Sequence, residues 1–298
     1  MSLIVIKIWA STFLDMSFRF KLLSLRIRNN TNFHFRLNRI MHLLSYHAEH
    51  NTPVLEQFVR DNPLGILTTA IWNPSHPFIQ SSHIPWVIDA AGDSGTPFGK
   101  LRGHVARQNP QAKAIIEAVS SSSDDTRVLE EDVLVLFNAA HHHYITAKFY
   151  RETKPETGKT VPTWDYEAVQ IYGRAKIYHD SRSEPFHAFL NQQLADLTHH
   201  AETSIMGYGG DNAPPWKVTD APESYIEIMK KNIIGIEIEI TSMGGRWKMS
   251  QEKKKGDRDG VIEGIRKMDS PIAAPMAEML EKRAREFDER KEASRKAS

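Results

Sequence analysis

Cysteine is absent from the 298 residues, which excludes disulfides, thiolate metal sites and cysteine nucleophiles. Its absence also fits a reducing compartment; the cytoplasm is the expected location, with mitochondrion and nucleus left open. No apolar run reaches the ~18–20 residues that a membrane-spanning helix requires, so no membrane association is expected. The opening "LIVIKIWASTFL" is broken by Lys7 and has no basic start, a poor secretory signal. There is no G-x-G-x-x-G, no P-loop and no internal repeat. An excess of one charge is missing too, because 38 basic residues nearly cancel 37 acidic ones. That balance conceals a split. Residues 1–40 carry seven basic residues (Lys7, Arg19, Lys21, Arg26, Arg28, Arg36, Arg39) against Asp15, a net of +6, which leaves −5 for the rest. A duplex-binding body usually shows a basic excess, since phosphate neutralisation supplies most of its non-specific affinity. Direct DNA binding is therefore doubtful.

What is present reads as three parts. Residues 1–40 form a basic extension, either transit-like or an upstream stretch without a fold. Residues 41–268 form the folded domain. Residues 269–298 form a charged tail, helical or disordered, with Glu278/Lys282, Glu281/Arg285 and Glu286/Arg290 at i,i+4 spacing.

Within the domain, "NTPVLEQFVRDNP" predicts a helix ending near Asn62-Pro63. Strands follow at "LGILTTAIW", "FIQSSHIPWVID" and "KLRGHVA", then a helix at "PQAKAIIEAV" and a low-complexity linker, "SSSSDDT". "DVLVLFNAA" predicts a buried strand and "HHHYITAKFY" its hairpin partner. "RETKPETGKTVPTW" is a polar loop, "EAVQIYGRAKIYHD" a strand and residues 184–200 a helix. After the loop "MGYGGDNAPPW" come the helix "APESYIEIMKKN" and the strand "IIGIEIEITSMGGRWKMS". Strands joined by short loops, with few helices between, favour an antiparallel barrel over a doubly wound sheet. The fold class expected is mainly β (α+β), an antiparallel β-barrel with peripheral helices.

Several stretches carry possible chemistry. In "LRGHVARQNPQ", Arg102 and His104 share one strand face; Asn109 suits a helix N-cap and Pro110 the first helical position. The free N–H groups of that turn, with Arg107 beside them, suit a phosphate; an ordinary capped helix is the competing reading. "SSHIP" places Ser82 and His83 inside an otherwise apolar strand, as a polar pocket in an apolar wall would need. His141 and His143 would stand about 7 Å apart on one strand face, too loose a pattern to specify a metal, and no metal site is assigned. Trp164 and Tyr166 either flank a planar ring or close the core. In "GGRWKMSQEKKKGDRDGV", Lys248, Ser250 and Gln251 offer hydrogen bonds to an anion or a heterocycle edge.

Taken together, "LRGHVARQNPQ", "KTVPTWDYEAVQIYGRAKI", "APPWKVTDAPESYIEIMKKNIIGIEIEI" and "GRWKMSQEKKKGDRDGVIEGI" resemble, in this order, the FMN-binding, PaiB-type negative transcriptional regulators. The resemblance spans about Met41 to Met268. It implies the split barrel of the pyridoxamine-phosphate-oxidase-like flavoproteins, a homodimer, and FMN near the subunit interface. It also implies a flavin site drawn from Ser82, His83, His104, Arg107, Asn109, Trp164, Lys248, Ser250 and Gln251. The chain departs from the family pattern in four places: "SHIP" for Asn-His-Leu-Pro, Gln108 for Ala, "YITAKFY" for Tyr-Ile-Ser-Pro-Ser-Trp-Tyr, and "WDY" for Trp-Asn-Tyr. No helix-turn-helix is visible, so a regulator of this kind would act through a partner protein. The alternatives are a flavin-dependent oxidoreductase acting on a planar or haem-like substrate, and a cofactor-free interaction module. No acid–base pair is legible, and no catalytic residue is named.

Overall fold

The computed structural model describes residues 44–121 and 127–296. The expectations for residues 1–40 and for most of the serine-rich linker lie outside the described residues. The described residues belong to one compact unit.

Eight strands form the sheet: β1 (Ala48–Glu49), β2 (Leu64–Ala70), β3 (Ile79–Asp89), β4 (Lys100–Ala106), β5 (Val133–Asn138), β6 (His143–Ile145), β7 (Thr163–Tyr178) and β8 (Ile233–Lys248). Their order is β1-β8-β4-β3-β2-β5-β7-β6, every pairing is antiparallel, and β7 also pairs with β8. That last pairing closes β8-β4-β3-β2-β5-β7 into a ring. The 16-residue β7 and β8 run side by side from Tyr166↔Lys248 to Tyr178↔Gly235. The register slips once, where Tyr172 pairs Ser242 and Gly173 pairs Ile240, leaving Thr241 as the extra residue of a bulge. Such a bulge sharpens the bend that closes a small barrel.

Alternation sorts the strand residues into two faces. Leu67, Ile84, Trp86, Leu101, Val135, Phe137, Val169, Ile171 and Ile236 point inward and are fully buried. Gly103 lets β4 approach the indole of Trp86; a Cβ there would meet the ring at 2.7 Å. The barrel is split between β3 and β4, which pair only from Trp86↔Gly103 to Asp89↔Lys100.

Among the described residues, six helices of eight residues or more surround it: α1 (Thr52–Asp61), α2 (Pro110–Ser121), α3 (Glu184–His200), α4 (Glu223–Lys230), α5 (Lys255–Arg266) and α6 (Ala273–Lys296). Helix α2 bridges the split, its Gln111 amide donating to the carbonyls of Leu67 and Gln80. Helix α3 lies on the outer face of β7 and β8, where Phe189 stacks on Tyr178 at 4.2 Å and occupies the space a side chain at Gly235 would fill.

Two local expectations change. The segment at 141–150 is not a hairpin partner of β5: only His143–Ile145 is extended, and it pairs with Thr163–Asp165 of β7. Both edges of β5 are already taken, by β2 and β7, so the histidine run is pushed past the barrel rim. The charged tail is the long helix α6, and one face of it is buried through Met276, Ala277, Leu280 and Arg283. Met276, Ala277 and Leu280 join Ile145, Tyr150, Met249, Val261 and Ile265 in a second small core. Its charges reach other elements rather than only along the helix: Glu281 to Arg266, and Arg290 to Glu49.

Candidate functional site

The nine residues singled out from the sequence fall into three groups. The first sits at the split. Asn109 caps α2 by accepting from the Gln111 N–H at 2.8 Å, and its amide donates to Ser82 Oγ at 2.9 Å. Ser82 shares the inward face of β3 with Ile84 and Trp86, so His83, its neighbour, projects from the opposite face and is exposed. Ser82 and His83 therefore do not present side chains to one pocket.

The second group is on the far side of the split. His104 faces outward on β4 opposite Gly235. Burial holds its imidazole below the usual histidine range, and Nδ1 is buried with no hydrogen-bond partner. Arg107 follows the end of β4, and its guanidinium is committed to backbone. Nη2 donates to the carbonyl of His179 at 2.7 Å and of Ile233 at 3.2 Å, and Nε donates to that of Lys231 at 3.1 Å. The clasp ties the end of β7 to the start of β8.

The third group is at the other end of β7 and β8. Trp164 is 50 % exposed; its indole N–H donates to His142 Nδ1 at 3.1 Å, and its ring lies 6.3 Å from that of Tyr144. Lys248 Nζ donates to Thr163 Oγ1 and, at 2.5 Å, to the carbonyl of Trp164. It also stands 3.6 Å from the fully buried Asp165. Ser250 donates to Asp165 Oδ2 at 2.6 Å from a left-handed backbone (φ 55°), a conformation that costs a non-glycine residue ~1–2 kcal/mol. The buried Gln251 side chain accepts from the Met249 N–H and donates to the carbonyls of Tyr46 and Trp247. Ser250 and Gln251 thus shape the turn that leaves β8. Burial pushes the Asp165 carboxyl up to about 6, against the pull of Ser250 and Lys248.

Three of the nine, His83, Trp164 and Lys248, lie on one outer surface that was not read from the sequence. On the outer face, His83, Ile66, Leu136, Gln170 and Gly244 form one cross-strand row, and Ser81, Thr68, Leu134, Tyr172 and Ser242 form the next. Along β7 the row continues to Tyr166 and Trp164, and along β8 to Arg246 and Lys248, with Arg246 over the Tyr166 ring at 5.8 Å. Five strands at ~4.8 Å spacing make a face roughly 20 Å wide. It carries hydroxyls and an imidazole at one end (Thr68, Ser81, His83), aliphatic side chains in the middle, and aromatics with an ammonium at the other. Gln170 Oε1 is buried there without a partner, an acceptor that a ring N–H could answer. A phosphorylated, planar heterocycle with a polyhydroxyl chain needs this mixture: a cation, hydroxyl partners, an apolar bed and aromatic edges. The residues present fit FMN. The pairing of β2 with β5, on which the face depends, could have been found only by knowing the sheet order.

Comparison with known proteins points the same way. A family model described as "putative FMN-binding domain" matches residues 41–242. An uncharacterised protein of Aspergillus fumigatus is 52 % identical over 255 residues, covering 82 % of this chain and 97 % of that one. The Bacillus subtilis protein named protease synthase and sporulation protein PAI 2 is 27 % identical over 243 residues, covering 81 % and 97 %. Among solved structures, the flavocytochrome Anf3 of Azotobacter vinelandii has a TM-score of 0.38 at 11 % identity, covering 73 % of this chain and 78 % of that one; that likeness is too distant to bear on chemistry.

Proposed function

Because the chain belongs to the FMN-binding, PaiB-type family, we propose that it works as a homodimeric flavoprotein with FMN lying against the outer face of β2, β5 and β7, at the boundary between two copies. FMN is the cofactor of the family. The observation that carries its placement and the dimer is the outer face itself. Leu64 and Ile79 are 59 % and 64 % exposed; on the outer side of β2, Leu64 stands next to Ile66, which pairs with Leu136, whereas Ile79 pairs with Ala70 at the other end of the strand, beyond Thr68 and Ser81. Apolar area of that kind favours a partner, and a two-fold pair covers a face with the same face. The inversion brings the Lys248–Trp164 end of one copy towards the His83–Ser81 end of the other.

In this reading Lys248 meets the phosphate or ring edge, Trp164 and Tyr166 flank the ring, Gln170 answers a ring N–H, and His83 closes the far end. Ser82, Asn109, Ser250 and Gln251 fix the backbone behind the face. His104 and Arg107, on the other side of the split, hold β4, β7 and β8 in place. Bound FMN supplies electron or hydride transfer. With a net charge of −5 outside residues 1–40, a regulatory role proceeds through a partner protein rather than through direct phosphate contacts.

The test is a pair of titrations, FMN and riboflavin, on wild type and Lys248→Met. The variant should lose at least tenfold in FMN affinity. Wild-type protein that neither arrives with flavin nor takes it up would overturn the assignment. A second reading, the flavin-dependent oxidoreductase, is favoured by the half-exposed group of Trp164, His142 and Tyr144, a stacking surface wider than one ring needs. NADPH consumption with a planar acceptor would support it; its absence across quinone and haem-like acceptors would end it.

A further inference from the structure

A cavity of about 360 Å³ lies between the segment Ser45–Ala48, the end of β8 and the C-terminal half of α6. Eight of its twelve lining residues lie beyond position 242, where the family match ends, six of them on α6. Three aromatic side chains line it: Tyr46, Trp247 and Phe287. So do the cations Arg283, Arg290 and Lys291.

Two of the lining side chains are more than nine-tenths buried and carry a nitrogen without a partner. Trp247 is 2 % exposed and its Nε1 makes no hydrogen bond; His47 is 3 % exposed and its Nδ1 makes none. An indole N–H can only donate, so Trp247 calls for an acceptor. His47 has its Nε2 at 3.0 Å from Glu252, which leaves Nδ1 as an acceptor in the neutral ring or a second donor in the charged one. Buried polar atoms left unpaired are uncommon and costly, and two of them belong to side chains that line this cavity.

The charges say what kind of molecule that is. Arg283 stacks over Trp247 at 4.6 Å and is answered by Glu167 and Glu286, and Arg290 is answered by Glu49. Glu167, Glu286 and Glu49 balance the three cations in number, but two of these carboxylates serve Arg283, and Lys291 has none within salt-bridge distance among the described residues, so Lys291 is the cation left to meet an acid group. Its volume is at the low end of small-molecule pockets, roughly 300–1,000 Å³. We infer that this cavity binds a small aromatic acid, a planar ring bearing one carboxylate or phosphate, with the ring between Tyr46 and Phe287 and the acid group toward Lys291 and the Trp247 N–H. It is a site separate from the flavin face.

The experiment uses full-length protein saturated with FMN, or the protein as purified if it takes none, so that failure here and failure of the flavin assignment read differently. Phenyl phosphate and benzoate are titrated by saturation-transfer NMR and calorimetry, which distinguishes the two acid groups. One site per chain is expected, weakened at least tenfold by Lys291→Glu and three- to tenfold by Trp247→Phe, which keeps the ring and removes the N–H. Thermal melts of both variants establish that they are folded. Lys291 is on the surface of α6, so Lys291→Glu alone keeps the test decisive if Trp247→Phe does not fold. No saturable binding at 10 mM-order concentrations, binding indifferent to Lys291→Glu, or displacement of the probe by FMN would each overturn the inference.

Discussion

Replacing Asp165 with asparagine should stabilise the protein, and by more at pH 8 than at pH 5. Asp165 is fully buried; its Oδ2 accepts from Ser250, and its Oδ1 has no hydrogen bond, with Lys248 3.6 Å away. Burial carries its pKa from an ordinary 3.8 to about 6. The folded state therefore binds more protons than the unfolded chain between these two values, so stability falls as pH rises through that window and the whole cost is present above ~7. Two pH units at ~1.4 kcal/mol each come to ~3 kcal/mol for holding the charged form at pH 8. At pH 5 the native carboxyl is still mostly protonated and the cost is about half of that. Asparagine keeps the shape and still accepts from Ser250, and it carries no charge to bury. Urea unfolding at the two pH values is the assay, and the gain at pH 8 should exceed the gain at pH 5 by ~1.4 kcal/mol. A gain independent of pH, or a loss that grows with pH, would refute the reasoning, since it would show that Lys248 compensates the buried charge fully.

Arg107→Ala should cost ~1–3 kcal/mol in unfolding free energy, because it strips donors from the carbonyls of His179, Lys231 and Ile233; a change in FMN affinity at unaltered stability would instead make Arg107 a ligand. Gly235→Val places a Cβ 2.4 Å from the Phe189 ring, so α3 must lift, and a loss of ~1–3 kcal/mol with faster proteolysis of that helix is expected; an unchanged melting curve would contradict the packing. Leu64→Glu with Ile79→Lys should convert a dimer to a monomer in light scattering and release FMN with it, whereas a dimer that persists would place the interface elsewhere.

Much of the barrel was legible from alternation and turn residues. β3, β4, β7 and β8 were readable because each alternates apolar with polar residues between Gly, Pro or Asn punctuation, and α2 because Asn109-Pro110 announces its start. The hairpin expected at 133–150 was not formed, because the local pattern of "DVLVLFNAAHHHYI" contains no record that β7 arrives thirty residues later and takes the free edge of β5. Helix α6 read as a charged tail, helical or disordered, because only about one residue in five faces the core, yet Met276, Leu280 and Arg283 suffice to dock it. The site was legible as residue types and illegible as an arrangement. Ser82 and His83 are adjacent in sequence and face opposite ways. His83 and Gln170 are 87 positions apart and share a row. Gln170, Thr68 and Ile66 carry no motif; only the sheet order assembles them.

Native mass spectrometry of the purified protein tests the central claim most directly. A two-copy assembly of 34.0 kDa chains carrying two FMN, with flavin lost whenever the chains separate, is the predicted spectrum. A single chain that retains FMN, or a stable pair that takes up none, would contradict a flavin held between two copies of the outer face.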